Sequence, residues 1–418
     1  MIKWYRFRNF HSFLDDTYVD FTSGMKSSTS SFDFQIDERT KISKVSAILG
    51  ANGSGKSNLM KPLAFLSWFM TSSFQDIKQD GKIPVVSYET NPDEPTTIEV
   101  EFCIPHFTDD GKSDAIECKY FVELDQNRVY KEELKLKTSR LYSRVFYREF
   151  DKAKNKYDVT LSKFMPDVTE LLASKTPQNS SIISFLSRLD DTISPTEIKP
   201  SICSIVFIYF FNFESNLVVS GRYNEDIDKK LILIAEEYEK NPEIKESAFK
   251  IIKSFDMGLV DISVVEKTFI DKDGNEEKKL LPYGVHEHNG KRFILPFIHE
   301  SSGTKAAYCT LFSLVSILMF GSVAILDELD NDLHPHLLID IIDIFKNKEI
   351  NKNNAQLIIS THTPEVLKHL KRHHCFIVEK ANSTSEVWRL DDIEGLRSQD
   401  NLYVKYITGA IGGVPTIG

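Results

Sequence analysis

The run Gly50-Ala51-Asn52-Gly53-Ser54-Gly55-Lys56-Ser57 constrains this chain more than any other part of it. It fits GxxxxGK[ST] and follows a short apolar stretch, Lys44-Val45-Ser46-Ala47-Ile48-Leu49. After it, Leu59, Leu63, Leu66 and Phe69 recur at helical spacing from Lys56 to Phe69. Strand, glycine loop and helix is the context this pattern needs. Glycines let backbone N–H groups turn inward around phosphates, and the positive end of the following helix points at them. Lys56 is placed to reach the β- and γ-phosphates of a triphosphate, and Ser57 to offer its hydroxyl to Mg2+. Gly50, Asn52, Gly53, Ser54, Gly55, Lys56, Ser57 and Asn58 are the expected contacts to the ligand.

Such a loop needs a carboxylate to share the metal. Val323-Ala324-Ile325-Leu326-Asp327-Glu328 supplies one, with apolar residues typical of a buried central strand running into two acids. Asp327 is the expected metal ligand beside Ser57, and Glu328 is expected to orient or deprotonate an attacking water. Gln356-Leu357-Ile358-Ile359-Ser360-Thr361-His362 is a further apolar strand with a histidine past its end. An imidazole there can contact a γ-phosphate and register its loss. Lys56, Glu328 and His362 are thus the expected catalytic residues. Glu300-Ser301-Ser302-Gly303-Thr304-Lys305 opens an apolar helix with capping serines and a glycine that permits close approach. That is a second helix start suited to an anion.

Elsewhere the chain alternates between two patterns. Ile2 to Phe10 reads as a strand, paired with a second one around Tyr18 to Phe21. Ile98, Val100 and Phe102 alternate with polar residues, and Tyr120–Leu124 and Val129–Leu134 read as antiparallel neighbours. From about Leu161 to Met257 the pattern is mostly helical, punctuated at Pro166, Pro177, Pro195, Pro200 and Pro242, and strands return from Leu259. The expected organisation is α/β: residues 1–150 and 286–418 form a nucleotide-binding core, and 151–285 form a mainly helical inserted lobe.

Composition removes several function classes. The nearly continuous apolar stretch Tyr308–Leu326 is long enough for a membrane span, but Gly321-Ser322 divides it into a helix and a strand that meets Asp327. No membrane association is expected, and Met1–Arg6 lacks signal-peptide design. Five cysteines without CxxC spacing suit free thiols in a cytoplasmic protein. A net charge of −10 argues against a surface that coats DNA. His334, His336 and the group His373-His374-Cys375 lack metal-ligand spacing and are not read as ligands.

In this order, Gly50–Ser57, Ser301-Ser302-Gly303, Asp327-Glu328 and His362 resemble the Walker A, signature, Walker B and switch-histidine series of ABC-type ATPases. The long chain between Lys56 and Asp327 resembles the SMC, RecF and OLD group rather than compact transporter ATPases. Asn9-Phe10-His11-Ser12-Phe13, Glu300–Thr304, Asp327–Pro335, Ser360-Thr361-His362 and Tyr406–Pro415 are similar to stand-alone OLD-like ATPases of the AAA-15/AAA-21 group. The middle, about 150 to 285, resembles no family by its motifs.

The resemblance implies an ABC-type P-loop ATPase core, a mixed sheet plus an antiparallel β subdomain, with ATP and Mg2+ as cofactors. It further implies that Ser302 and Gly303 of one copy cap the γ-phosphate held by another, in a homodimer or higher even-numbered homo-oligomer. Asp330-Asn331 would link the two sites. The chain departs from the group in its Q-loop glutamine, which has no assigned position; Gln75 and Gln79 are the candidates. The group is known from two-component anti-phage defence. It therefore implies a sensor or scaffold that controls a separately encoded nuclease or toxin, with a phage protein as a trigger. Residues 363–418 are expected to be too few for the Toprim nuclease domain of full OLD-like proteins. The alternative is a RecF/SMC-like repair ATPase that binds DNA.

Overall fold

The computed structural model describes residues 1–418 apart from 25–26, 79, 108–112, 167, 190–200, 219–220, 223–225, 255–257, 271–274, 332–334 and 415–418. Its centre is a six-stranded sheet. The strand order is Glu214–Ser215, Val323–Leu326, Gln356–Ser360, Val45–Leu49, Cys375–Ala381 and Thr384–Arg389. The first five are parallel and the last is antiparallel to its neighbour. Every residue of Val45–Leu49, Val323–Leu326 and Gln356–Ser360 is buried. A sheet covered on both faces demands such largely apolar runs.

Successive residues of a strand face opposite sides, so these runs feed two cores. Ile48, Val323, Ile325, Ile358, Phe376 and Val378 join one. Ala47, Leu49, Ala324, Leu326, Leu357, Ile359 and Ile377 join the other. The first core is closed by the helix Lys56–Asp76 and by a seven-stranded antiparallel sheet, ordered 156–161, 142–151, 129–137, 113–124, 96–107, 2–8 and 17–20. Ile2–Arg8 pairs with Thr17–Asp20, and Ser113–Leu124 with Val129–Lys137, as the sequence predicts. Buried Gln356 stitches the two sheets: its Oε1 accepts from Ile2 N–H at 2.7 Å, and its Nε2 donates to the carbonyls of Ile2 and Ser43. The second core is closed by Ser302–Phe320, Pro335–Lys346, Ile227–Lys240 and Pro242–Ser254.

The expected break within 308–326 falls at Gly321, which takes φ 66 and caps Ser302–Phe320 before the strand begins. Among the described residues, Ser302–Phe320 is the helix long and apolar enough to cross a membrane, with mean hydropathy 1.4. Half of that window is buried, and the helix packs on 227–240 and 242–254.

The stretch 151–285 differs from a mainly helical lobe. Its described helices are Glu170–Ala173, Ile182–Leu189, Ile202–Phe211, Ile227–Lys240 and Pro242–Ser254. Lys156–Leu161 instead extends the antiparallel sheet, and Asp261–Ile270, Glu276–His288 and Lys291–Pro296 form a separate three-stranded one. The helices also divide their packing. Ile182–Leu189 and Ile202–Phe211 lie on Lys56–Asp76, while Ile227–Lys240 and Pro242–Ser254 lie on Ser302–Phe320. Buried Arg148 ties this stretch to the antiparallel sheet, pairing with Glu132 at 2.7 Å and donating to the Ser180 carbonyl. Proline punctuation marks where elements end but carries no record of which layer each one joins.

Candidate nucleotide site

The strand order determines what meets at the site. Gln356–Ser360 lies between the loop strand Val45–Leu49 and the acidic strand Val323–Leu326, in parallel register with both. Gly50, Asp327 and Thr361-His362 therefore emerge side by side at one edge of the sheet, where parallel sheets bind ligands. A cleft of about 640 Å³ opens there, lined by Ser12, Asn52, Gly53, Gly55, Lys56, Ser57, Asn58, Glu328, Asn331, His362 and Lys380.

The loop is built from tight contacts. Gly55 sits at φ 111, and a Cβ there would run into the hydroxyls of Ser385 and Ser12. Only glycine fits. Lys56 is buried, and its Nζ donates to the carbonyls of Gly50 at 2.9 Å and Ala51 at 3.1 Å. Burial lowers its pKa, and the nearby carboxylates of Asp327, Glu328 and Asp330 act in the opposite direction. Ser54 is buried with its hydroxyl unpartnered, while Asn52 and Gly53 stand exposed at the lip of the cleft.

Asp327 lies on the floor, 3% exposed. Its Oδ2 accepts from the Ser57 hydroxyl at 2.7 Å, and its Oδ1 accepts from the Ser360 hydroxyl. Carboxylate and hydroxyl oxygens converging in this way form the donor set that a hard divalent cation takes. The residues present fit Mg2+. Glu328 follows at φ 49, a left-handed conformation rare for a side chain of this kind, held by its N–H donating to Ser360 Oγ at 2.8 Å. Its carboxylate lies 3.6 Å from His362 Nε2 and accepts from Asn331 Nδ2 at 2.6 Å. Asp330 Oδ2 in turn accepts from His362 N–H and the Thr363 hydroxyl. Glu328, His362 and the Asp330-Asn331 turn thus form one connected network facing Lys56.

Ser302 and Gly303 are not part of it. They stand at the exposed start of Ser302–Phe320, whose cap is the Ser301 hydroxyl accepting from Thr304 N–H at 3.1 Å, and neither lines the cleft. Gln75 is also elsewhere: it is exposed near the end of its helix and accepts from Arg188. Gln79 and His334 lie outside the described residues, and His336 is exposed on the helix Pro335–Lys346.

His373 and His374 converge on Asp33 Oδ1 at 3.0 and 2.8 Å, three buried groups close enough to hold a metal ion. The hydrogen bonds argue against a metal. Nδ1 of His374 accepts from Lys371 N–H at 3.0 Å, so the proton of the neutral ring sits on Nε2 and points at Asp33. Burial keeps that ring neutral, lowering its pKa to about 4. Burial would raise the Asp33 carboxyl, but the two imidazole hydrogen bonds outweigh it and hold the group below its usual range.

The sequence pattern of the AAA domain family described as "AAA domain, putative AbiEii toxin, Type IV TA system" matches residues 45–159 and 173–368. The chain belongs to this family. It is a P-loop ATPase of that group, and the match covers Gly50–Ser57, Ser302-Gly303, Asp327-Glu328 and His362. Among curated proteins none matches the chain.

Several residues of this AAA-domain site escaped the sequence. Asn216, at the end of the edge strand, grips the Asp327 peptide from both sides: Oδ1 accepts from its N–H at 2.8 Å and Nδ2 donates to its carbonyl at 2.9 Å. Ser12 accepts from Asn58 Nδ2 at 2.9 Å, and Ser385 donates to the Ser54 carbonyl at 2.7 Å. Ser360 joins the two acids, and Lys380 brings a second cation to the cleft. Asn216, Ser385 and Lys380 are single polar residues with no motif around them. Ser12 and Ser360 carried a signal, as parts of Asn9–Phe13 and Ser360-Thr361-His362.

Proposed function

We propose that this chain binds and hydrolyses ATP between two copies of itself, and that this cycle sets the state of a separately encoded nuclease or toxin. The observation that carries the reading is the separation within one copy. Lys56, Ser57, Glu328 and His362 line an open cleft, whereas Ser302 and Gly303 lie outside it at an exposed helix start. A second copy placed head to tail supplies the missing half.

In this reading the N–H groups of 50–58 and the Lys56 ammonium bind the β- and γ-phosphates. A divalent cation held by Ser57 and Asp327 would neutralise phosphate charge. Glu328 accepts a proton from a water whose oxygen attacks the γ-phosphorus, while the β–γ bridging oxygen leaves with ADP. His362 contacts the γ-phosphate and shares Glu328 and Asp330 with the turn that links the two sites. Ser302 and Gly303 of the second copy close over the γ-phosphate, so assembly and nucleotide state are coupled. The family's description as part of a toxin–antitoxin system supports a partner-controlling role. A phage protein is the proposed trigger, and the cytoplasm the proposed location.

The test is Glu328→Gln with ATP and Mg2+ in sedimentation velocity. The variant should bind ATP, turn over about 10²- to 10⁴-fold more slowly and sediment as a dimer or larger even assembly. Lys56→Ala should bind no ATP and stay at its nucleotide-free mass. A Glu328→Gln protein that binds ATP at unchanged mass would remove the two-copy site.

A further inference from the structure

The segment Leu402–Val414 lies behind the phosphate loop and brings Gly413 against the loop's first residue, Gly50. The Tyr406 hydroxyl donates to the Gly413 carbonyl at 3.1 Å. Gly413 N–H donates to Glu379 Oε1 at 2.5 Å. Gly412 and Gly413 take φ 80 and 79, so left-handed backbone folds the segment onto the loop. A Cβ on Gly413 would sit 2.8 Å from Ile377, 3.0 Å from Tyr406 and 3.6 Å from Gly50 Cα. Glu379 and Lys380 are successive residues of one strand and face opposite ways. Lys380 lines the cleft while Glu379 holds the segment from behind. The helix Leu402–Ile407 also packs on the turn 364–368 just after His362, where Lys368 Nζ stands 4.0 Å from the Tyr403 ring centroid.

We infer that Leu402–Val414 is a latch on the nucleotide site, with Tyr406 a positioning residue that seats Gly413 against Gly50. The inference rests on the ATP-binding reading above. Gly50 adopts φ 156, and its own Cβ position is blocked by the Val378 carbonyl, so the loop's entry depends on what packs against it. Tyr406 acts through Gly413, which packs beside Gly50. Because the same segment contacts the turn beyond His362, displacing it changes both ends of the site together. A partner that draws on the exposed Val404 and Ile407 side chains would lower nucleotide affinity without entering the cleft.

Fluorescent ATP titrations of the full chain, with thermal melts of the nucleotide-free proteins, test this. Tyr406→Phe keeps the ring and loses the hydroxyl; its Kd should rise about tenfold with an unchanged melting temperature. Gly413→Ala should weaken binding further, because its methyl drives the segment off Gly50. Gly409→Ala is the control: it imposes the same kind of strain at φ 74 but meets no atom within 4 Å, so its Kd should stay within about twofold of the wild type. Wild-type affinity in both Tyr406→Phe and Gly413→Ala, or equal losses in Gly413→Ala and Gly409→Ala, would overturn the latch. A wild type that binds ATP while the variants match it sinks the latch alone; a wild type that binds none sinks the site itself.

Discussion

Two dead proteins should make a live one. If each site joins Lys56 of one copy to Ser302 of the other, Lys56→Ala loses every phosphate grip and Ser302→Arg loses every cap. In a mixed dimer the lesions segregate. One site combines the substituted loop with the substituted helix start, and the other combines a native Lys56 with a native Ser302. Random exchange of equal amounts gives half mixed dimers with one intact site of two, so phosphate release should recover to about a quarter of the wild-type rate. Ser302 is exposed and, among the described residues, the Lys56 ammonium donates to carbonyls of its own loop, so neither change removes a side chain from the two hydrophobic cores. The assay is steady-state phosphate release at saturating ATP across mixing ratios, with total protein constant. Activity should peak at equal amounts and vanish at both ends. A flat zero line, with mixed dimers verified by differently tagged copies, would refute the shared site; so would a Ser302→Arg protein that is active alone.

Two more outcomes follow from single contacts. Asn216→Ala frees the Asp327 peptide, so the Mg2+ concentration for half-maximal turnover should rise about tenfold while ATP binding without metal is unchanged; an unaltered Mg2+ requirement would show that the amide does not orient the acid. Acid should weaken the fold through His374: its folded pKa of about 4 lies below the unfolded value near 6.5, so between these pH values the unfolded chain holds a proton that the folded chain refuses. Stability is lost as pH falls through that window, by up to about 3 kcal/mol. Urea midpoints at several pH values should show a shallower slope in His374→Gln than in the wild type, and identical slopes would exclude this origin.

The loop, the acid pair and the histidine were legible because each is written locally. An apolar run that ends in a glycine or an acid states its own geometry, since a buried strand must stop where its side chains turn polar. The split at Gly321 was legible for the same reason. The stretch 151–285 was not. Its residues show helical spacing and prolines, yet Glu214–Ser215 became the edge of the central sheet and Lys156–Leu161 the edge of the other.

The sequence by itself determined that a phosphate-binding strand–loop–helix exists, and that acids and a histidine stand at the ends of two further buried strands. Tertiary structure alone decided that Gln356–Ser360 runs between the other two, bringing Ser360 and His362 to the acids. It also decided that Asn216 and Tyr406 serve the site, and that Ser302 does not reach the cleft of its own chain. The reason is the range of the forces involved. Periodicity and glycine freedom act within a few residues, whereas strand order is settled by hydrogen bonds and core burial between segments hundreds of positions apart, which leave no mark on either segment alone.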